Sequence, residues 1–252
     1  MNVLSRVRFP WKPRGSAQSA AAEEGPQRPP RPFWKELPIL VVAALVLALL
    51  IKTFLVQAFS IPSGSMEDTL LVGDRVLVDK LTPHFGDKPS RGEVVVFHDP
   101  SDWLAGEPGR QPSSDPIVRG LQNGLSFIGL MPSADEKDLI KRVIAVGGDT
   151  VACQGDGPVH VNGKALNEPY LYPGSTPCGD RNFGPLKVPA GSIWVMGDNR
   201  QHSADSRYHM DESGGGAVPE SKVIGRAIAV AWPLSQWKTL PIPDTFHQLR
   251  SQ

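Results

Sequence analysis

The chain has 252 residues, 26 Lys/Arg against 26 Asp/Glu, and no formal net charge at pH 7. Its 25 glycines and 25 prolines favour loops, turns and short strands and argue against a helical bundle. The charge is uneven: residues 1–36 carry seven Lys/Arg and three Glu, and no basic cluster interleaved with aromatics follows, which argues against nucleic-acid binding.

In chain order, residues 1–36, with their PQRPPRP stretch, read as a disordered cytoplasmic arm that buries nothing. From Leu37 to Ile51 the run LPILVVAALVLALLI is uncharged. As a helix it covers about 22 Å of the roughly 30 Å hydrocarbon core of a bilayer. Continued past Lys52, whose ammonium snorkels, to Phe59, it reaches about 34 Å, so 37–59 is expected to be a single membrane anchor. Phe33 and Trp34 supply an interfacial aromatic pair. The basic arm places the N-terminus in the cytoplasm and residues 60–252 outside it. A buried core helix, or a cleavable secretory signal with Val56-Gln57-Ala58 before the cut, are the alternatives.

Beyond the anchor, strand-like runs occur at 74–81, 92–98, 139–146, 149–154, 160–166, 192–197 and 223–233, punctuated by Gly, Pro and Asp. They predict a mainly β peptide-chain fold of antiparallel sheets, with 99–138 as an inserted loop region and about 150–190 as a smaller β-rich lobe. The apolar residues of GLQNGLSFIGLMP at 120–132 rest either on a membrane surface or in a satellite core. The only cysteines, Cys153 and Cys178, fall in the extracytoplasmic part, and no zinc or iron–sulfur spacing is present. A bridge between them would contribute on the order of 3 kcal/mol, and two buried thiols are the alternative.

Three patches carry candidate chemistry. In FSIPSGSMEDTL, Pro62 and Gly64 shape a loop that presents Ser63 and Ser65, either of which becomes a nucleophile if a base removes its proton. In LIKRVIAV, Lys141 stands among apolar neighbours. Desolvation would lower its pKa from about 10.4 toward about 8, which suits a general base, and a strand lysine reaching water is the bland alternative. In GDNRQHSADSR, Ser203 could orient the lysine amine and Asp205 and Arg207 could pair to brace the loop, with a solvated polar turn as the bland alternative. None of the six histidines shows an obvious Ser-His-Asp partnership, although His202 lies close to Asp205.

The ordered motifs PSGSMEDTLLVGDRVLV, RGEVVVF, IKRVIAVGGD and MGDNRQHSADSR resemble the bacterial type I signal peptidases, membrane-bound serine proteases with a Ser/Lys dyad. The resemblance implies Ser65 as nucleophile, Lys141 as general base, Ser63 with the Ser65 backbone as oxyanion donors, and Ser203 bonded to Lys141. It also implies an apolar groove at Phe59, Ile61, Leu70, Val76, Val96 and Ile140 that accepts small side chains before the cut. The expected partners are signal peptides of exported preproteins and the lipid bilayer, with the secretion translocon as a candidate, and no cofactor or metal is required. Gln201 and His202 depart from the commoner GDNRDNS, the single anchor differs from relatives with two, and 99–138 has no counterpart. A self-cleaving repressor-type protease would want a DNA-binding arm that residues 1–36 do not supply. A silent membrane-tethered scaffold is the rival from another class.

Overall fold

The computed structural model describes residues 33–50, 56–81, 86–104 and 138–249. Helix α1 spans Phe33–Leu50, with Glu36 in its first turn, where a carboxylate suits the positive end of the helix dipole. Seven of its large apolar side chains, from Ile39 to Leu47, are exposed. Among the described residues no helix is long and apolar enough to cross a membrane.

Among the described residues twelve strands follow: β1 (Val56–Ser60), β2 (Arg75–Asp79), β3 (Val94–His98), β4 (Asp138–Val146), β5 (Thr150–Cys153), β6 (His160–Val161), β7 (Lys164–Ala165), β8 (Phe183–Lys187), β9 (Ser192–Met196), β10 (Val218–Pro219), β11 (Val223–Trp232) and β12 (Lys238–Thr239). A short helix, α2, covers Asp244–His247. The expected helix out to Phe59 is corrected by β1, which pairs antiparallel with β2 from Val56 opposite Asp79 to Ser60 opposite Arg75. Hydropathy runs on through FLVQAF without a break, but the backbone donors and acceptors of 56–60 are met by a neighbouring strand.

The larger sheet has the order β1-β2-β11-β3-β4-β9-β10, with β12 on β11, and the smaller has β7-β6-β5-β8; every pairing is antiparallel. Within the larger sheet β4 lies between β3 and β9, and every residue from Leu139 to Ala145 is buried. One core groups Leu139 and Val143 with Val95, Phe97, Ile193 and Val195. Another groups Ile140 with Ile61, Met66, Leu70, Val76 and Val96. Adjacent residues of β4 thus enter different cores, as strand alternation requires.

The smaller sheet is stapled by a disulfide between Cys153, the last residue of β5, and Cys178, their Cα atoms 5.5 Å apart, so the alternative of two buried thiols does not hold. Strand β8 lies within the expected smaller lobe but outside the strand-like runs read from the sequence, because Gly184 and Pro185 hide the strand pattern. At the start of the inserted region the Asp99 carboxylate accepts from the backbone N–H groups of Trp103 (2.7 Å), Leu104 (3.0 Å) and Ser101 (3.2 Å). That turn seats Trp103 edge-on against Phe97. The expectations for 1–32 and for 120–132 lie outside the described residues.

Candidate active site

Ser65 is the middle residue of a one-turn 3-10 helix, Gly64–Met66, entered through the extended backbone of Ser63. The loop is closed at its neck by Ile61 N–H donating to Asp74 O and Gly73 N–H donating to Ile61 O, both at 2.9 Å. Met66 and Leu70 anchor it from below, fully buried. Asp68, at φ 75°, occupies the left-handed region that non-glycine residues seldom adopt. Apolar anchoring of a short loop fixes the Ser65 side chain without engaging its hydroxyl.

Lys141 comes from the middle of β4, opposite Val95. Although 76 positions separate them in sequence, its Nζ lies 2.6 Å from Ser65 Oγ, and both residues are only 4% exposed. The reading of Lys141 as a strand lysine with its head in water is thereby excluded. Ser63 Oγ lies 3.4 Å from Ser65 Oγ, a long contact, and Ser63 is exposed. The pair is therefore a dry hydroxyl–amine contact with a second hydroxyl at its open side.

A second loop, following β9, packs on the first through Asn199 N–H, which donates to Ser65 O at 3.1 Å. A Cβ on Gly197 would lie 2.5 Å from both Ser65 O and Ser203 Cβ, so only glycine lets the two loops approach this closely. Ser203, 3% exposed, donates its hydroxyl proton to Asp205 Oδ2 at 2.7 Å. Its lone pairs are left to accept. Asp205 also receives Gly197 N–H at 2.9 Å and is gripped by Arg207 at both oxygens, Nε to Oδ1 at 2.8 Å and Nη2 to Oδ2 at 2.9 Å. Burial alone would raise the Asp205 carboxyl, but the Arg207 charge and these hydrogen bonds outweigh it and hold the group below its ordinary value. Asp205 and Arg207 thus form a fully buried, bidentate ion pair.

Sequence reasoning did not single out a second network beside it. Arg142, the neighbour of Lys141, donates to Asp198 through Nε (2.9 Å) and Nη2 (2.6 Å), and through Nη1 to Gly92 O at 2.9 Å. Thr69, four positions beyond Ser65, donates to the same Asp198 at 2.5 Å. Arg200 pairs with Glu168, and Glu168 accepts from the Tyr170 hydroxyl at 2.7 Å. Burial acts to lower both arginines, but the carboxylates of Asp198 and Glu168 hold each above its ordinary value, so they stay charged. Tyr170 is pushed well up, first by burial and then by Glu168. The two arginines and their motif neighbours were visible in the sequence, but partners 56 and 32 positions away were not.

Ile61, Leu70, Val76, Val96 and Ile140 belong to one apolar cluster, with Phe59 packed against it. Leu70 and Val76 are 0% exposed, so these two side chains belong to the interior rather than to the wall of an open groove. Gln201 and His202 lie on the exposed side of the second loop. There His202 Nδ1 meets Asn199 Oδ1 at 3.3 Å and Asp205 is taken by Arg207, so no Ser-His-Asp triad forms with these two residues.

The family model described as signal peptidase, peptidase S26, matches residues 34–232. The chain is 45% identical over 240 residues to signal peptidase I of Mycobacterium tuberculosis (strain ATCC 25618 / H37Rv), covering 88% of this chain and 80% of that one. It is 45% identical over 226 residues to a probable signal peptidase I of Mycobacterium leprae, covering 80% and 77%. With signal peptidase I of Leptolyngbya laminosa the identity is 38% over 230 residues, covering 91% and 93%. The chain belongs to the signal peptidase family, peptidase S26.

Proposed function

We propose that the chain removes N-terminal signal peptides from exported preproteins, with Ser65 as nucleophile and Lys141 as general base. The observation that carries this reading is the 2.6 Å approach of Lys141 Nζ to Ser65 Oγ at two buried residues. As a serine endopeptidase it must turn an alcohol into an alkoxide-like attacker, and for that the amine has to be neutral. Burial disfavours the ammonium form.

Lys141 takes the Ser65 proton as Oγ attacks the scissile carbonyl, and the resulting ammonium returns a proton to the departing amine. An ester on Ser65 remains. The neutral lysine then activates a water, whose attack on the ester releases the signal peptide with a free carboxylate and restores Ser65. The Ser65 backbone N–H and the Ser63 hydroxyl donate to the oxygen on which negative charge develops. Ser203, its own proton given to Asp205, accepts an N–H of Lys141 and so turns the amine's lone pair toward Ser65. Asp205 and Arg207 brace that hydroxyl from behind.

The substrate would lie extended beside the cluster of Phe59, Ile61, Leu70, Val76, Val96 and Ile140, with small side chains next to the cut, as in the family that the motifs resemble. The basic arm, the uncharged run from Leu37 to Ile51 and the exposed apolar side chains of α1 support contact with the bacterial cytoplasmic membrane, the N-terminus inside and the catalytic part outside. A shared depth in the membrane would raise the effective concentration of cleavage site around Ser65. In detergent, Ser65→Ala and Lys141→Ala should each lose cleavage of a model signal peptide by at least about 10⁴-fold with the fold intact. Cleavage retained in either variant would defeat the dyad, and an inactive wild type would favour the tethered scaffold.

A further inference from the structure

We propose that the Cys153–Cys178 bridge is a positioning element for the catalytic lysine, acting through Arg207 and the Ser203–Asp205 pair, and not only a staple of the smaller sheet. This rests on the assignment of Lys141 as base. Cys178 lies in a turn held by Gly179 N–H donating to Thr176 O at 2.9 Å and by Thr176 Oγ1 donating to Gly179 O at 3.2 Å. The turn aims three acceptors at the second catalytic loop. Ser175 Oγ receives Arg200 N–H at 3.2 Å, Pro177 O receives Arg200 Nη1, and Cys178 O receives Arg207 Nη1 at 2.7 Å.

Arg207 is the junction. Its one planar guanidinium joins the Cys178 carbonyl on one edge to the Asp205 carboxylate on the other, and Nη2 also donates to Arg200 O at 2.8 Å. Asp205 in turn holds Ser203 and the Gly197 N–H. From the bridge to the Ser203 hydroxyl, proposed above to orient Lys141, there are thus only three polar links, all of them buried. The fit leaves no slack: Gly179 has φ +66°, and a Cβ there would collide with Arg207 Nη1.

The turn sits in the stretch between Ala165, the end of β7, and Phe183, the start of β8, where no strand fixes the backbone. The covalent link to the end of β5 supplies that fixation. A bridge needed only to staple the sheet would not have to place a carbonyl on the arginine that grips Asp205.

The test uses the full chain in detergent micelles with a signal-peptide substrate, comparing wild type, Cys153→Ala/Cys178→Ala and Gly179→Ala. Both variants should lower kcat by about 10-fold at unchanged KM, the range typical of losing a group that orients a reacting residue. The alkaline-rising limb of the rate profile should move to higher pH, because water reaches the loosened lysine. Gly179→Ala keeps the bridge and decides alone if the bridgeless chain does not fold. Wild-type kcat and pH profile in the variants, or a loss confined to thermal stability or to KM, would overturn the proposal. Ser65→Ala separates this from the dyad itself: cleavage surviving there sinks the dyad, whereas a dead Ser65→Ala beside an unaffected bridgeless variant sinks only the role of the bridge.

Discussion

The two loops that meet at the site are built on opposite principles. The first, from Ile61 to Asp74, is held by backbone hydrogen bonds and by the buried side chains of Met66 and Leu70. The second, from Gly197 to Arg207, buries Asp198, Arg200, Asp205 and Arg207, each with an oppositely charged partner. The difference teaches where charge belongs in such a site. A hydroxyl that must give up a proton is best set on an apolar mount, and formal charges sit one layer back, where they fix geometry. Buried ions are poor sources of net stability, but breaking a pair is severe.

The largest effect should therefore follow from breaking the second loop. Asp205→Ala leaves the Arg207 charge buried without its carboxylate and should destabilise the chain by about 3–5 kcal/mol, read from denaturant unfolding. A loss under about 1 kcal/mol would mean that the pair is not the brace described here. The first loop should behave in the opposite way. Ser63→Ala removes a donor from an exposed position, so kcat should fall by about 100-fold while stability stays within about 0.5 kcal/mol. A variant with full kcat would remove Ser63 from the oxyanion role.

A smaller effect separates the loops by pH. Asp205 in the folded chain lies below its ordinary value of 3.8, so its contribution is fully present above that pH and fades as pH falls through the lower folded value. Asp149 behaves likewise: burial would raise it, but hydrogen bonds from Arg91, the Val146 N–H and Asn162 lower it. Stability measured by urea unfolding should thus drop on acidification below pH 3.8, and less steeply in Asp205→Asn than in the parent. Equal slopes would show that this carboxylate is not the acid-sensitive group.

Much of this was legible in the sequence where a pattern is local. The runs that became β2, β3, β4, β5, β9 and β11 carry β-branched residues between Gly and Asp punctuation, and the serines and the lysine lie in short, chemically marked motifs. What was lost depends on partners far away or on local ambiguity. Residues 56–60 are as apolar as a helix end, and only pairing with β2 makes them a strand. The segment Phe183–Lys187 carries a glycine and a proline, which obscure a strand whose partner is β5. Nothing local to Arg142 reveals its bidentate partner at Asp198. Ser203 is marked by its motif, but that its own proton goes to Asp205 two positions on, which leaves its lone pairs to accept, is seen only in the folded loop.

The central claim is that an amine kept from water next to Ser65 becomes neutral and acts as the base. Its most direct test is the single-turnover cleavage rate of the full chain measured from about pH 6 to pH 9, under conditions where chemistry limits the rate. The rate should climb with pH, up to about tenfold per unit, until Lys141 has lost its proton, and Lys141→Ala should show no such limb. A flat wild-type profile across that range, or the same limb in Lys141→Ala, would contradict it.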